Sequence, residues 1–317
     1  MIKHKEFLAS DFEEVGNLIK ESLNPNGIIV NDSSYNLFQS GGKKIRPTFT
    51  LLVGRLGDQS KHDDVIRAGA SLELIHMASL VHDDIVDDSK LRRGQGTVYY
   101  EHGYLQAVNT GNYLLSTSLE LVSTIEHKQL HEAFSIAMKD IVSGELFQFD
   151  HQFNADQTLD DYYQKIYRKT ALLIELSIKM GAYAAQVPDG ELSALLKYGY
   201  HIGMSFQIID DCLDFTGDEK SLGKPKFSDL ENGHYTLPVL LLRDSDHEFK
   251  EKLKAFHDDR TILDSLIQDL LHSDSIEKSI QISTEHIEEA KASISEIDEP
   301  VRTYLLQIAE KLANRLN

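Results

Sequence analysis

The sequence has very little cysteine and no long apolar run. Cys212 is the only cysteine among 317 residues, which excludes an intrachain disulfide and a cysteine-based zinc cluster and favours a reducing compartment. No apolar run approaches the roughly 18–20 residues that a bilayer-spanning helix requires. Met1–Ser10 also lacks the apolar centre of a signal peptide. We therefore expect a cytoplasmic protein.

Basic residues are scarce as well. The 32 Lys and Arg residues face 51 Asp and Glu residues, which gives a formal charge of −19 at pH 7. Such a chain is a poor partner for nucleic acid or for an anionic membrane surface, because both attract basic proteins. A small anionic substrate is compatible with this charge if a metal ion or a local group of cations binds it. Hydrophobic and charged contents of 41% and 26% are typical of a globular chain.

Helix breakers are few and helical periodicity is widespread. Six prolines and 19 glycines leave long stretches uninterrupted, and apolar residues recur at spacings of three and four, as at Leu305, Ile308 and Leu312. Alternating strand patterns bounded by glycine turns are scarce. The pattern predicts an all-α protein with at least ten helices and no sheet. It also predicts a single domain over residues 1–317, because no linker or repeat divides the chain.

One segment interrupts the helical pattern for about twenty residues. It runs from Thr216 to Tyr235 and contains Lys220, Lys224, Lys226 and His234. Loops of this length in compact domains are usually lids or disordered segments. We interpret this one as a lid that closes over an anion.

The segment Val81–Gly94, VHDDIVDDSKLRRG, carries four aspartates after an apolar stretch. Asp83 and Asp87 are four apart and project from one face if the helix continues. The four carboxylates repel each other and lower helix propensity, so we expect a cation to neutralise them. Mg²⁺ suits one or two carboxylates combined with water and phosphate oxygens. Arg92 and Arg93 follow at once, and guanidinium groups bind phosphate oxygens in pairs.

A second acidic motif, Phe206–Asp214 (FQIIDDCLD), repeats the spacing with Asp210, Asp211 and Asp214 in another apolar segment. One such motif is more simply explained as a solvated acidic helix end. Two copies in apolar sequence favour motifs that face each other across a helical bundle and clamp several metal ions around a diphosphate. Cys212 lies inside this motif without an activating group, so we interpret it as a packing residue.

Three further elements offer cations to an anion, and each has an ordinary structural alternative. GGKKIRP carries Lys43 and Arg46 three residues apart before a proline, which predicts either a basic turn entering a helix or a simple surface patch. His76, seven residues before Asp83, shares its helical face and is either part of a second anion site or a core histidine. Lys169 in YRKT is either a phosphate ligand or a helix-end cation.

Taken in order, these residues resemble the trans-polyprenyl diphosphate synthases. The resemblance rests on GGKKIRP, ELIHMASLVHDDIVDDSKLRRG, SGELFQ, YRKTALL, FQIIDDCLDFTG and LGKP…DL…TLP, and it covers roughly Gly41 to Pro238. Segments such as NTGNYLLSTSLELV are similar to the larger, catalytic component of two-component bacterial enzymes of this family. The resemblance implies an all-α isoprenoid synthase fold, a single helical bundle around a central cavity. It also implies a prenyltransferase that condenses isopentenyl diphosphate with an allylic diphosphate.

The resemblance further implies a role for each motif residue. Three Mg²⁺ ions would be bound by Asp83, Asp87, Asp210 and Asp214, with Asp84 and Asp211 adjacent as further catalytic residues. The allylic diphosphate would be held by Arg92, Lys169 and Lys224, and isopentenyl diphosphate by Lys43, Arg46, His76 and Arg93. Thr170 and Gln207 would line the path of the allylic cation, which forms when the C–O bond ionises with metal assistance.

The resemblance implies that product length is set by the residues four and five positions before Asp83, which are Ser79 and Ala78. Short-chain relatives often carry aromatic residues there, so the resemblance implies an open cavity and a product of about C30–C35 for quinone side chains. Each helical turn spans about 5.4 Å, on the order of one isoprene unit. The alternatives are that these small residues serve close helix packing and that the product is short, about C15–C20.

Three positions depart from the family pattern, and two other functions compete with this one. Asn112 replaces a frequent Asp, Phe227 a usual Gly, and His234 the Lys of short-chain enzymes. None of these changes touches an aspartate motif, so we expect an active enzyme. A terpene cyclase usually mixes Asn, Ser or Thr with Glu in its second metal motif, which is all-Asp here. A catalytically silent subunit would not need the intact aspartates.

The likeness to a two-component enzyme also bears on assembly. It predicts a homodimer, or a heteromer with a small regulatory subunit. A long hydrophobic product implies transient membrane contact during release, although nothing in the sequence resembles an anchor. We do not expect nucleic acid as a partner.

Overall fold

The computed structural model describes residues 6–23, 44–92, 94–217 and 226–315, and α-helices dominate all four ranges. The first helices are α1 (Ala9–Ser22), α2 (Ile45–Gly54), α3 (His62–Val86), α4 (Val98–His102), α5 (Tyr104–Ser123) and α6 (Lys128–Asp150). They are followed by α7 (Leu159–Ile166), α8 (Leu172–Ala184), α9 (Asp189–Thr216), α10 (Ser228–Glu231) and α11 (Leu237–Ser245). The last are α12 (His247–Ala255), α13 (Leu263–His272), α14 (Ser275–Ser293) and α15 (Val301–Ala313). The predicted all-α class is confirmed.

The chain forms two compact units. Unit 1 comprises Met1–Ser135, Leu176–Ser193 and Asp298–Tyr304, and unit 2 comprises Ile136–Glu175, Ala194–Ile297 and Leu305–Asn317. The single domain predicted over residues 1–317 stays a prediction.

Unit 1 is organised around α3, which packs against α1, α2 and α5. Contact with three helices explains why α3 is buried on more than one side and reads as a largely apolar segment. Near the end of α3, helix α5 approaches closely because Gly111 has no side chain. A Cβ at this position would overlap the imidazole of His82. Burial lowers the pKa of that His82 ring, so a neutral histidine packs beside the first aspartate motif.

Unit 2 contains a continuous apolar cluster to which α7, α9 and α11 to α14 contribute. Its largest fully buried side chains include Tyr162, Phe215 and Tyr235. Cys212 belongs to the same cluster and is fully buried. Burial raises the pKa of its thiol to about 12, so the prediction that Cys212 is a packing residue is confirmed.

Two local elements differ from the prediction. A short antiparallel hairpin joins β1 (Leu91–Arg92) to β2 (Gln95–Gly96). Strands of two residues are too short to show alternation in the sequence, which is why the hairpin was not expected. The predicted lid contains α10, while Lys220 and Lys224 lie outside the described residues.

Within the ranges that the structure describes, no helix has both the length and the apolar character needed to cross a membrane.

Candidate active site

The first aspartate motif lies where α3 ends. Asp83 and Asp84 occupy its last turn, and Asp87 is the residue that caps it. The N–H of Ser89 donates to the carbonyl of Asp84 over 2.9 Å, and Asp88 has a φ of 49°. This is a Schellman motif with aspartate at the left-handed position that glycine usually takes. The helix therefore stops inside the motif instead of continuing through it, and Asp87 is exposed at the turn.

Asp84 and Arg92 form an ion pair at this helix end. Nε and Nη2 of Arg92 lie 2.8 and 2.7 Å from Oδ1 of Asp84. Asp84 is only 3% exposed, and this burial raises the pKa of its carboxyl, a shift that the charge of Arg92 opposes. Arg92 reaches the pair from β1. Asp84 therefore holds the guanidinium beside the motif, while 26% of the Arg92 side chain stays exposed to solvent.

Arg46 lies close to the same motif within unit 1. It is in the first turn of α2, which follows Lys44, a residue with a φ of 47°. Burial lowers the pKa of Arg46, and the carboxylates of Glu73 and Asp83 on α3 oppose that shift. Its Nε is buried without a hydrogen-bond partner in the described part of the chain. Arg46 is thus a half-buried cation that faces the acidic side of α3.

The remaining predicted ligands of the two diphosphates include residues inside and outside the described ranges. Lys43, Arg93 and Lys224 lie outside the described residues. His76 lies on α3, two turns before Asp83 as predicted, and is half-buried.

The second aspartate motif lies near the end of α9, where its three carboxylates have three different environments. Asp210 is the most exposed, with 36% of its side chain accessible, and its Oδ1 lies 2.7 Å from Nη2 of Arg315. Asp211 is 4% exposed and Asp214 is fully buried. Membership of the same motif therefore does not give the three aspartates equal access to a ligand.

Asp214 holds the start of α10. Oδ1 accepts a hydrogen bond from the Ser228 hydroxyl and Oδ2 one from the N–H of Asp229, each over 3.2 Å. The N–H of Phe227 donates to the Asp214 carbonyl over 3.0 Å. These three bonds attach the described C-terminal part of the predicted lid to α9.

Phe227 adopts a left-handed conformation, with a φ of 62°. Only glycine takes this conformation without a steric penalty, which gives a physical reason for the glycine expected here. The Phe227 ring packs against Phe215 with centroids 6.0 Å apart. Packing with the apolar cluster of unit 2 therefore compensates part of the strain.

Thr170, Gln207 and Asp211 are linked by hydrogen bonds. The Thr170 hydroxyl donates to Oε1 of Gln207 over 2.6 Å, and Nε2 of Gln207 donates to Oδ1 of Asp211 over 2.9 Å. The hydroxyl of Tyr162 donates to the other oxygen of Asp211 over 2.7 Å. Burial raises the pKa of Asp211 to about 6, although the bonds from Gln207 and Tyr162 act in the opposite direction.

Thr170 and Lys169 lie in a π-helical turn, Tyr167–Ala171, between α7 and α8. Such turns are rare and occur frequently at functional sites. Gly203 on α9 allows the close approach, since a Cβ at this position would overlap the backbone of Ala171. The wider turn leaves Lys169 exposed and brings Thr170 within hydrogen-bond distance of α9. Nothing in the sequence distinguishes this turn from an ordinary helix.

Lys165 was not among the predicted residues. It is 7% exposed, and its Nζ donates to the carbonyl of Tyr235 over 3.2 Å and lies 5.5 Å from the ring centroid of Tyr162. Burial lowers its pKa to about 8, a shift that the charge of Asp211 opposes. Lys165 precedes Lys169 by one helical turn, and this spacing is the signal that could have found it.

The residues predicted to affect product length lie on α3. Ala78 is 3% exposed, and Ser79 is half-buried with its hydroxyl donating to the carbonyl of His76 over 2.9 Å. A larger side chain is therefore more easily accommodated at Ser79 than at Ala78. Asn112, the departure on α5, is exposed.

One group outside both motifs could hold a metal ion. Ligand atoms of Asp11, Glu14 and His62 lie within 4.8 Å of one another, and no other such group occurs among the described residues. Arg55 already binds Asp11, with Nη2 2.6 and 2.7 Å from the two carboxylate oxygens. Because an arginine already paired with the buried Asp11 competes with a cation, we interpret this group as an ion-pair cluster.

An all-α fold with two aspartate motifs in apolar helices is typical of the isoprenoid synthases. A family model described as polyprenyl synthetase matches residues 28–272. The chain therefore belongs to the polyprenyl synthetase family and is a prenyltransferase. The first motif lies in unit 1 and the second in unit 2, so their shared use of one diphosphate stays a prediction.

Individual relatives agree with this assignment. The chain is 36% identical over 312 residues to heptaprenyl diphosphate synthase component 2 of Bacillus subtilis (strain 168), with 98% of this chain and 89% of that protein covered. The crystal structure of heptaprenyl diphosphate synthase from Staphylococcus aureus matches with a TM-score of 0.93 and 38% identity, covering 98% and 99% of the two chains. A decaprenyl diphosphate synthase from Rhodobacter capsulatus matches with a TM-score of 0.91 and 27% identity, covering 99% of each. The resemblance inferred from the motifs, including the likeness to the larger component of two-component bacterial enzymes, is confirmed.

Proposed function

We propose that this prenyltransferase adds isopentenyl diphosphate units to an allylic diphosphate until the product reaches about C30–C35, for use in quinone side chains such as that of menaquinone. The observation that carries the proposal is the end of α3, where the exposed Asp87, the neighbouring Asp83 and the Asp84–Arg92 ion pair occur together. Carboxylates next to a held guanidinium suit a metal-bound diphosphate, because each group binds an opposite charge of the same ligand.

The carboxylates of the two motifs fit magnesium. Asp83, Asp87 and Asp210 offer only oxygen donors, which is the ligand type that Mg²⁺ prefers. When bound, Mg²⁺ adds positive charge that stabilises the diphosphate as it leaves. Asp214 would have to release Ser228 and Asp229 before it reached a metal ion. We expect three ions with substrate bound, as the family resemblance implies.

The cations divide between the two substrates. Arg92 and the exposed Lys169 are proposed to hold the allylic diphosphate together with Lys224. Positive charge stabilises the transition state most strongly at the leaving group, where negative charge develops. Arg46 and His76 are proposed to hold isopentenyl diphosphate with Lys43 and Arg93. The Nε of Arg46 is buried and has no hydrogen-bond partner among the described residues, which supports a role in binding an anion.

The chemical step forms an allylic carbocation, which groups with negative partial charge can stabilise. After the allylic C–O bond breaks, the electron pair leaves with the diphosphate and a carbocation remains. The double bond of isopentenyl diphosphate, held within bonding distance, attacks it. Loss of a proton to the departing diphosphate then regenerates an allylic product. Thr170 and Gln207 are proposed to line the path of the cation, since both can present oxygen lone pairs.

The proposed long product is supported by the names of the relatives and by the residues that precede Asp83 on α3. The B. subtilis and S. aureus relatives are named heptaprenyl diphosphate synthases. Ser79 and Ala78 are small, so neither blocks chain growth by itself. A short-chain enzyme, with a product of about C15–C20, is the alternative.

Assembly with a second chain is also proposed. On α5, Leu105 and Leu119 are 71% and 49% exposed, and Asn112 lies exposed midway between them at heptad spacing. Two exposed leucines at heptad spacing from Asn112 suit contact with another chain, in a homodimer or with a small regulatory subunit, and the name component 2 of the B. subtilis relative supports the latter. Release of a long product implies transient contact with a membrane.

The test is elongation by purified protein with farnesyl diphosphate, isopentenyl diphosphate and Mg²⁺, followed by the mass of the product and the release of pyrophosphate. We expect a product of about C30–C35, in the presence of a small subunit if one is needed. Asp83→Asn should abolish turnover, whereas Asp63→Asn at the other end of α3 should not. A product that stops at C15 or C20 would contradict the long-chain proposal, and an inactive chain under all conditions would favour the silent subunit.

A further inference from the structure

A chain of three hydrogen bonds in unit 2 runs from the apolar interior to the proposed path of the cation. It begins at the hydroxyl of Tyr162, passes through the carboxylate of Asp211 and the amide of Gln207, and ends at the hydroxyl of Thr170. The three donor–acceptor distances are 2.7, 2.9 and 2.6 Å. The chain joins three separate elements, since Tyr162 lies on α7, Thr170 in the π-helical turn and the other two residues on α9.

The chemistry of the amide sets the direction of this chain. Nε2 of Gln207 can only donate and Oε1 can only accept. With Nε2 directed to Asp211, Oε1 must face Thr170, and the Thr170 hydroxyl must donate its single proton to it. The lone pairs of Thr170 are then the part of this hydroxyl that remains for any other contact. A hydroxyl held in this way presents the negative end of its dipole, which stabilises positive charge.

Tyr162 fixes the far end of the chain. Its side chain is fully buried and Asp211 is 4% exposed, so neither group can exchange its partner for bulk water. The ring is held from two sides, with Lys165 Nζ 5.5 Å from its centroid and the Tyr163 ring 5.4 Å away. Without the phenolic hydroxyl, Oδ2 of Asp211 would lose this donor in a buried setting, which is costly. The carboxylate would then turn toward other donors, and the orientation of Gln207 would no longer be fixed.

We propose that Tyr162 is a positioning residue for cation formation, and that it acts through Asp211 and Gln207 to keep the lone pairs of Thr170 directed away from the protein. This inference rests on the proposed function, which assigns Thr170 and Gln207 to the path of the allylic cation. It adds a residue that touches no substrate and lies within the apolar cluster of unit 2. It also gives Asp211 a role different from metal binding, since both of its carboxylate oxygens are engaged by protein donors.

The first test is Tyr162→Phe, which removes one oxygen atom. A lost hydrogen bond to a charged group corresponds to roughly a 10-fold or greater fall in kcat. We expect the KM of both diphosphates to stay within about twofold of the wild type, since no substrate ligand is changed. Tyr163→Phe is the matched control, because it removes the same atom from the next residue, whose hydroxyl is not in the chain. Equal rates for the two variants would overturn the inference.

A double-mutant cycle separates positioning from a merely structural role. Thr170→Val removes the hydroxyl through which Tyr162 is proposed to act. In that background, Tyr162→Phe should lower the single-turnover rate of the first condensation by less than about twofold, because coupled residues are not additive. Full additivity of the two changes would contradict the inference. Urea unfolding of each variant checks that the folded fraction is unchanged.

Gln207→Met is a second variant in case Tyr162→Phe does not fold. It breaks the chain at a half-buried residue and leaves Tyr162 and Asp211 in place. We expect the same fall in kcat with little change in KM, and a wild-type kcat would overturn the inference. The outcomes also distinguish it from the proposed function. If Thr170→Val is fully active, the proposed role of Thr170 is wrong; if Thr170→Val is slow and Tyr162→Phe is not, only the inference about Tyr162 is wrong.

Discussion

Arg315 forms an ion pair with Asp210, the most exposed carboxylate of the second aspartate motif. The guanidinium Nη2 lies 2.7 Å from Oδ1 of Asp210, and the two side chains are 26% and 36% exposed. The Arg315 group also lies over the ring of Phe206, 4.8 Å from its centroid. A proposed metal ligand is therefore neutralised by a residue that follows α15.

Arg315→Gln should strengthen the response to magnesium. Because a fixed cation beside Asp210 competes with Mg²⁺, its removal should lower the half-saturating Mg²⁺ concentration about two- to fivefold, the range expected of a partly exposed ion pair. Arg302→Gln is the control, since Arg302 lies on α15 and pairs with Glu299 instead of a motif residue. Initial rates measured against Mg²⁺ concentration decide the matter, and an unchanged or higher requirement for Mg²⁺ would exclude competition.

Asp214→Asn and Asp210→Asn should have different effects. An asparagine at position 214 can accept only one of the two hydrogen bonds from Ser228 and Asp229, and its amide nitrogen would face the other donor. In a buried setting this should lower the free energy of unfolding by about 1–3 kcal/mol. Asp210→Asn loses a partly exposed ion pair and should cost less than about 1 kcal/mol.

Urea unfolding and elongation assays of both variants check this prediction. We expect Asp210→Asn to lose activity while remaining stable, and Asp214→Asn to lose stability. Equal stability of the two proteins would contradict the anchoring role of Asp214.

Helix identity and motif location could be predicted from the sequence, whereas the partners of the motif residues could not. Periodicity is a local signal, which is why the helical segments that carry the aspartate motifs of α3 and α9 could be located. The contacts that separate the roles of these aspartates are not local. Asp214 binds Ser228, 14 residues away, and Asp211 binds Tyr162, 49 residues away. Any of several buried polar residues could have provided these donors.

The features that were missed have specific physical reasons. The end of α3 depends on Asp88 taking a left-handed conformation that sequence rules reserve for glycine. The π-helical turn at Thr170 depends on the approach of Gly203 to Ala171. Both are decided by tertiary packing, and neither leaves a pattern in the neighbouring residues.

The backbone at Phe227 gives a prediction about glycine. Because its φ is 62°, Phe227→Gly should be more stable than Phe227→Ala by about 1 kcal/mol, after allowance for the greater freedom of glycine in the unfolded chain. Both variants lose the ring, so packing cancels in the comparison. At Leu146, which is exposed on α6, the order should be reversed because alanine is the better helix former. Free energies of unfolding in urea test both pairs of variants. If Phe227→Ala were more stable than Phe227→Gly, the backbone at position 227 would not be strained.

A pair of histidines predicts a pH dependence of stability. Nδ1 of His201 and Nδ1 of His286 are 2.9 Å apart on α9 and α14, which leaves room for only one proton between them. Burial, with a further contribution from His201, lowers the pKa of His286 to about 4, although Glu285 and Glu289 oppose the shift. As the pH falls, the unfolded chain therefore binds a proton at His286 near pH 6.5, whereas the folded chain binds it only near pH 4. This contribution to stability is present above pH 6.5 and is lost as the pH falls toward 4.

His286→Leu removes this titration, so the free energy of unfolding should fall less steeply between pH 6.5 and 4.5 than in the wild type. His257→Leu is the control, because that side chain is 63% exposed. Carboxylates that titrate in the same range are common to all three proteins and cancel. A variant as steep as the wild type would exclude His286 as the source.

Product length gives the most direct test of a small residue. Ser79 is half-buried on α3 and its hydroxyl binds only its own helix, at the carbonyl of His76. Ser79→Phe should therefore fold and, if chain growth passes this position, shorten the main product by one or more isoprene units, since each turn of α3 spans about 5.4 Å. Ser79→Ala keeps the small volume and should leave the product unchanged. Mass spectrometry of the products distinguishes the outcomes: an unshortened product from a folded Ser79→Phe would mean that the growing chain does not pass this face of α3, and that the small residues serve helix packing.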